Sequence, residues 1–151
     1  MLLATALNVL VVMTVVLIHY EALIRLSGFL ARTRPRHRVR LLVTVLGVLV
    51  AHAVEVWVFA LVYYGMHRAD GWGHFQGNFD GSLMDSVYFS FTTFTTLGFG
   101  DIEPLGTVRF LTGIEGLTGL VLITWSASYL FVEMQRHWAF RYGASDTGAD
   151  S

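Results

Sequence analysis

Between residues 95 and 101 the chain reads Thr-Thr-Leu-Gly-Phe-Gly-Asp. A potassium ion in water is surrounded by oxygen, and a pore too narrow for that shell must supply oxygens of its own. Backbone carbonyls can do so when several in succession face one axis. Such a backbone alternates between ordinary and positive φ, and Gly98 and Gly100, two residues apart, take the latter without steric cost. The Thr96 hydroxyl adds an oxygen at the inner end. Asp101 sets a carboxylate at the outer mouth, where it raises the local cation concentration. One chain carries one such loop, so a closed ring of carbonyls requires further chains in cyclic symmetry. Irregular backbone at membrane depth must also be shielded by protein or line water, and the centre of an oligomer meets that condition.

The elements around this loop are apolar and of two lengths. Residues 83–97 are too short to cross a bilayer, since a stretch of about 10 to 14 residues reads as re-entrant or buried. Ser82 stands as the N-cap of this half-helix, with Asp85 three residues on in the manner of a capping box. The half-helix ends in threonines and then Gly98, Phe99 and Gly100. Three longer stretches reach the roughly 20 residues of a spanning helix. They are residues 1–18, running on to about 26; residues 41–64, interrupted by Thr44, Gly47, His52 and Glu55; and residues 105–134, with Arg109, Glu115 and Glu133 as charges. The last would be about 45 Å long, so it should tilt or protrude. The first has no basic leader and no small-residue cleavage site, and we expect it to be retained as a helix.

Of the 151 residues, 54% are hydrophobic and 14% charged, against about 25% charged in a soluble domain. Ten arginines face eleven acids without a single lysine or cysteine, which excludes disulfides and thiolate metal sites and gives no reason to expect nucleic acid as a partner. Arg25, Arg32, Arg34, Arg36, Arg38 and Arg40 fall in a segment without acids, and the positive-inside rule makes that loop cytoplasmic. The amino terminus and residues 65–104 are then outside, and the carboxyl terminus, with Arg136 and Arg141, is inside. The outer segment agrees, setting Arg68 against Asp70, Asp80, Asp85, Asp101 and Glu103. The loop arginines recur at every second residue around Pro35, which fits a topology signal and not the single helical face of a voltage sensor.

Residues 83–101, with the helices before and after, closely resemble the pore module of tetrameric potassium channels, over about residues 41–134. That family's filter reads Thr-Val-Gly-Tyr-Gly-Asp and follows a Tyr-Phe-Ser, threonine-rich pore helix. Here Tyr88-Phe89-Ser90 and Thr92-Thr93-Phe94-Thr95 stand in those places. The resemblance implies a fourfold pore with K+ coordinated by the carbonyls of Thr96, Leu97, Gly98 and Phe99 and by the Thr96 hydroxyl, and with Gly100 and Asp101 at the outer mouth. Two departures matter. Phe99 replaces the usual tyrosine and loses the phenol that ties the filter to the helix behind it, and Leu97 replaces valine. Phenylalanine occurs at this place in some two-pore-type members, so potassium remains the expected ion. Where the family often has a pore-helix glutamate, Thr92 stands, and another group must brace the filter.

Glu55 and Glu115 each lie about 14 Å deep in their helices, where an ionisable residue is a functional candidate. Either one of them hydrogen-bonds the back of the pore helix near Thr92 or Thr93, or they are protonated or paired residues that only hold helices together. Tyr88, Thr92, Thr93, Glu55 and Glu115 are thus the filter-support candidates. His52 shares a helical face with Glu55 and reads as a packing histidine. His19 is expected to reach the interface, and the six histidines show no metal-ligand spacing. Gly113, Gly116 and Gly119 suit close helix packing, and Gly119 also falls near the family's gating hinge. By resemblance Val121, Thr124 and Ser128 would line an inner cavity.

The expected fold is an all-α membrane protein with three transmembrane helices, a re-entrant pore helix and a selectivity-filter loop, assembling as a homotetramer in a cell membrane. Its parts are an N-terminal helix (1–26), a basic loop (27–40), a pore module (outer helix 41–64, turret 65–81, pore helix 82–95, filter 96–101, inner helix 105–134) and a tail (135–151). No nucleophile–base pair or phosphate loop points to an enzyme, and no soluble ligand is indicated. The rival readings are a weakly selective cation channel and a non-conducting accessory subunit.

Overall fold

The computed structural model describes residues 2–33 and 36–142. Arg34, Pro35 and the tail from Gly143 lie outside the described residues, as do the side chains of Arg136 and Arg141. Four helices and two short strands follow in the order α1 (Leu2–Thr33), α2 (His37–Arg68), β1 (His74–Gly77), α3 (Leu83–Phe94), β2 (Ile102–Leu105) and α4 (Val108–Tyr142). Among the described residues three helices are long and apolar enough to cross a membrane, over Leu2–Thr33, Arg38–Arg68 and Val108–Gln135. The chain is therefore an all-α, multi-pass membrane protein.

The packing faces meet around α3, which sits against both α2 and α4. Val15 of α1, Phe59 and Tyr63 of α2, Phe94 of α3, and Leu111 and Leu122 of α4 form one buried cluster. The opposite faces stay apolar, with Leu10, Leu17, Leu49 and Leu61 each more than half exposed. A helix apolar on all sides suits a bilayer, where the outward face has no water to avoid.

Several boundaries differ from the expected ones. Helix α1 continues past residue 26 to Thr33 because Leu30 finds a fully buried site. The basic segment is consequently split: Arg25 and Arg32 ride on α1, and Arg38 and Arg40 on α2. At the other end of the bundle α2 runs on to Arg68, shortening the turret. The remainder of that turret contains β1, and β2 takes residues 102–104 together with Leu105, the expected first residue of the inner helix, so that α4 begins at Val108. The two strands pair antiparallel with His74 opposite Leu105 and Gly77 opposite Ile102. Phe75 anchors the pair, its buried ring lying against Tyr63, Phe79 and Phe89. Gly77 has φ +90°, and a Cβ there would lie 2.2 Å from the Asp101 carbonyl oxygen, so the close approach of the strands requires glycine.

Candidate functional site

The half-helix α3 begins where the sequence places it. Ser82 Oγ accepts the Asp85 amide at 3.0 Å. The reciprocal half of the capping box goes elsewhere: Asp85 Oδ2 accepts the Asp80 amide at 2.8 Å, and Asp80 Oδ1 accepts the Ser82 amide at 2.7 Å. Hydrogen bonds from Ser82 hold the Asp80 carboxyl below its usual range.

At its other end α3 hands its last carbonyls to the loop. The Thr96 amide bonds the Thr93 carbonyl at 2.9 Å, and the Leu97 and Gly98 amides share the Thr92 carbonyl at 2.8 and 3.0 Å. The backbone then alternates. Thr96, Gly98 and Gly100 have φ of 58°, 51° and 77°. Thr96 is the sole non-glycine with positive φ among the described residues, a conformation that a β-branched residue rarely adopts. Leu97 and Phe99 are 60% and 64% exposed in the single chain.

Two arrangements brace this loop. On its outer side the Tyr88 hydroxyl donates to Asp101 Oδ2 at 2.9 Å, and the rings of Tyr88 and Phe99 stack 6.5 Å apart, 6° from parallel. The bond to Asp101 pushes the Tyr88 phenol above its ordinary pKa. The Asp101 carbonyl accepts the Asn78 amide at 2.8 Å, joining the loop to β1. On the inner side, fully buried Glu115 of α4 bonds both the Tyr63 hydroxyl of α2 and the Ser90 hydroxyl of α3, the latter at 2.5 Å. Ser90 Oγ is also 2.9 Å from the Val56 carbonyl oxygen. Glu115 thus touches α3 at Ser90, two and three residues before Thr92 and Thr93. Thr92 itself acts through its carbonyl, while its hydroxyl bonds the Phe89 carbonyl.

Glu55 does something else. Its carboxylate is bonded to His19 Nδ1 at 2.8 Å and His52 Nδ1 at 2.9 Å, and no bond joins it to α3. His19 is completely buried instead of reaching the interface, because α1 packs its polar side on α2. The three side chains bring ligand-type atoms within 4.8 Å of one another, a grouping that spacing along the sequence cannot reveal. The other missed contact is Arg40 to Glu133 at 2.6 Å, joining the start of α2 to α4. Glu133 in the last apolar stretch was its one visible signal.

The glycines of α4 divide sharply. A Cβ on Gly119 would stand 2.1 Å from the Phe94 carbonyl oxygen, whereas Gly113 has open space and Gly116 only an ordinary contact. Gly119 thus brings α4 against the end of α3. Val121, Thr124 and Ser128 lie on an exposed face of the single chain. The Thr124 and Ser128 hydroxyls bond carbonyls of their own helix at 2.7 and 3.1 Å, so they do not by themselves argue for a wet cavity.

A capped half-helix ending in an alternating loop, clamped between two spanning helices, is an ion-channel arrangement. A family model described as an ion channel matches residues 51–136, more than half of the chain. No curated protein and no solved structure matches it. On its architecture and this match, the chain belongs to the ion channel family.

Proposed function

We propose that this channel conducts K+ passively and selectively through a fourfold pore formed by four copies of the chain. The observation that carries the reading is the alternation of positive φ at Thr96, Gly98 and Gly100 directly after α3. Alternation of this kind allows successive carbonyls to face one side, which a carbonyl-lined filter requires and which supports the reading. The carbonyls of Thr96, Leu97, Gly98 and Phe99 and the Thr96 hydroxyl would hold the ion, with Gly100 and Asp101 at the mouth. The carboxyl end of α3 faces the loop and its partial negative charge favours a cation. Glu115, Tyr88, Thr92 and Thr93 support the filter, Gly119 seats the inner helix, and Val121, Thr124 and Ser128 line the cavity below. The amino terminus lies outside and the carboxyl terminus in the cytoplasm.

Ion flux into liposomes containing the purified protein tests this, under a potassium gradient and then a matched sodium gradient. Potassium uptake blocked by barium, without sodium uptake, is the expected result. One observation favours a weaker filter. Phe99 is held by ring stacking on Tyr88 and not by a hydrogen bond to the pore helix. Equal flux of both ions would establish that second reading. Absence of flux from assembled protein would leave a gate closed under the assay conditions or an accessory subunit.

A further inference from the structure

Helices α1, α2 and α4 meet at a polar cluster that the pore does not use. His19 comes from α1, His52 and Glu55 from α2, and Ser126 from α4. His19 and Glu55 are fully buried, Ser126 is 3% exposed, and the His52 side chain keeps 15% of its surface. The carboxylate divides its oxygens, Oε1 to His19 Nδ1 at 2.8 Å and Oε2 to His52 Nδ1 at 2.9 Å. The two imidazoles stack with centroids 5.3 Å apart. Behind them Ser126 Oγ stands 3.1 Å from His52 Nε2 and 3.4 Å from His19 Nε2. The surrounding wall is aromatic, with Trp125 against His19 and Phe94 against His52.

We propose that His19, His52 and Glu55 bind a divalent transition-metal ion of the zinc class, joining α1 to α2. Two imidazoles and one carboxylate are the donor set of a three-ligand zinc centre with an open fourth position. Calcium would need six to eight oxygens, which this cluster does not supply. Zinc bonds of about 2.0 to 2.2 Å place tetrahedral ligand atoms roughly 3.3 to 3.5 Å apart. The three ligand atoms already lie within 4.8 Å of one another, so side-chain rotation suffices to close on an ion. The ion takes the place of the protons between Nδ1 and the carboxylate, and each imidazole stays neutral with its one proton on Nε2, toward Ser126 Oγ. Ser126 then keeps the role that an outer hydrogen-bond partner has for a metal-bound imidazole. Zinc, one carboxylate and a hydroxide in the open position sum to zero charge, which suits a membrane interior. A lone histidine would neutralise Glu55; the second, stacked on the first, exceeds what helix joining needs. The exposed part of His52 gives the approach. His19 lies outside the residues that match the ion channel family, and the ion would fasten α1 to that module whichever ion the pore selects.

Titration of the tag-free full-length protein in detergent with Co2+, followed by visible absorption, tests this without any flux measurement. The expected result is saturation at one Co2+ per chain, with the intense bands of a four-coordinate ion, and displacement by Zn2+. His19→Gln and His52→Gln should each weaken binding at least roughly tenfold. The double variant His67→Gln/His74→Gln, at the far end of α2 and in β1, should leave it unchanged. If His19→Gln fails to fold, the unaltered protein still decides. No saturable binding, or only the weak spectrum of six-coordinate Co2+, overturns the proposal and leaves a proton-sharing joint. Unchanged binding in the folded His19 and His52 variants, or its loss in the His67/His74 variant, overturns it equally.

Discussion

Tyr88 and Asp101, thirteen residues apart, close the loop that follows α3 onto its own half-helix through a 2.9 Å hydrogen bond. Phe99 has no hydroxyl with which to tie the loop to α3, and Tyr88 makes that tie through Asp101 while its ring stacks on Phe99.

Tyr88→Phe is therefore expected to leave assembly intact and to make potassium flux decline several times faster during sustained conduction. The same bond has a signature in alkali. Because the Tyr88 phenol is raised by Asp101, its contribution to stability is complete below the ordinary tyrosine value of about 10 and is lost as pH rises through the raised one. Tyrosinate absorbance should show a late-titrating group that Tyr88→Phe abolishes; identical titrations would remove the bond from the account.

Glu115 is the inner counterpart. Interhelical polar bonds in membrane proteins average about 0.6 and reach about 1.7 kcal/mol, so losing those to Tyr63 and Ser90 in Glu115→Ala should cost about 1 to 3 kcal/mol. Thermal melting in detergent reads this directly. Ser90→Ala should fall between Glu115→Ala and the unaltered protein.

Two glycines one and a half turns apart should respond oppositely. Gly119→Ala drives a methyl into the Phe94 carbonyl, and overpacking of this kind costs about 1 to 3 kcal/mol. Reduced yield of the assembled protein on size exclusion and reduced flux are the expected readouts. Gly113→Ala meets nothing within 4 Å and should stabilise α4 by about 0.5 to 1 kcal/mol.

Gly98→Ala tests the loop itself. At φ 51° an L-residue costs about 1 to 2 kcal/mol in each chain, repeated four times around the proposed ring. Flux should be lost while melting of the helices is nearly unchanged. Conduction at the original rate would show that the alternation at Thr96, Gly98 and Gly100 is not what carries the ion.

The helices and the loop were legible because each is written in local terms: unbroken apolar runs, Ser82 before a half-helix, two glycines two apart. The strands were not. His74–Gly77 and Ile102–Leu105 show no long alternation, and their pairing depends on a close approach at Gly77 that only three dimensions display. The partners of the buried carboxylates divide the same way. Sequence depth marked Glu55 and Glu115 alike, yet rotation about their helices sent Glu115 to Ser90 and Glu55 to His19. Helix α1 was visible as a span, but its extension to Thr33 depends on a burial site for Leu30 that neighbouring helices create.

The short sheet has an effect on how copies of the chain come together. The inner end of the loop is fixed by the Thr92 and Thr93 carbonyls, and its outer end by Asn78 and the pairing of β1 with β2. Only a few residues between these two anchors can rearrange. In the proposed tetramer, each chain then arrives with its share of the ion path already shaped, and little ordering entropy is left to oppose association. Four preformed segments need only be brought into register, so the symmetry of the ring follows from docking and not from folding the loops against one another.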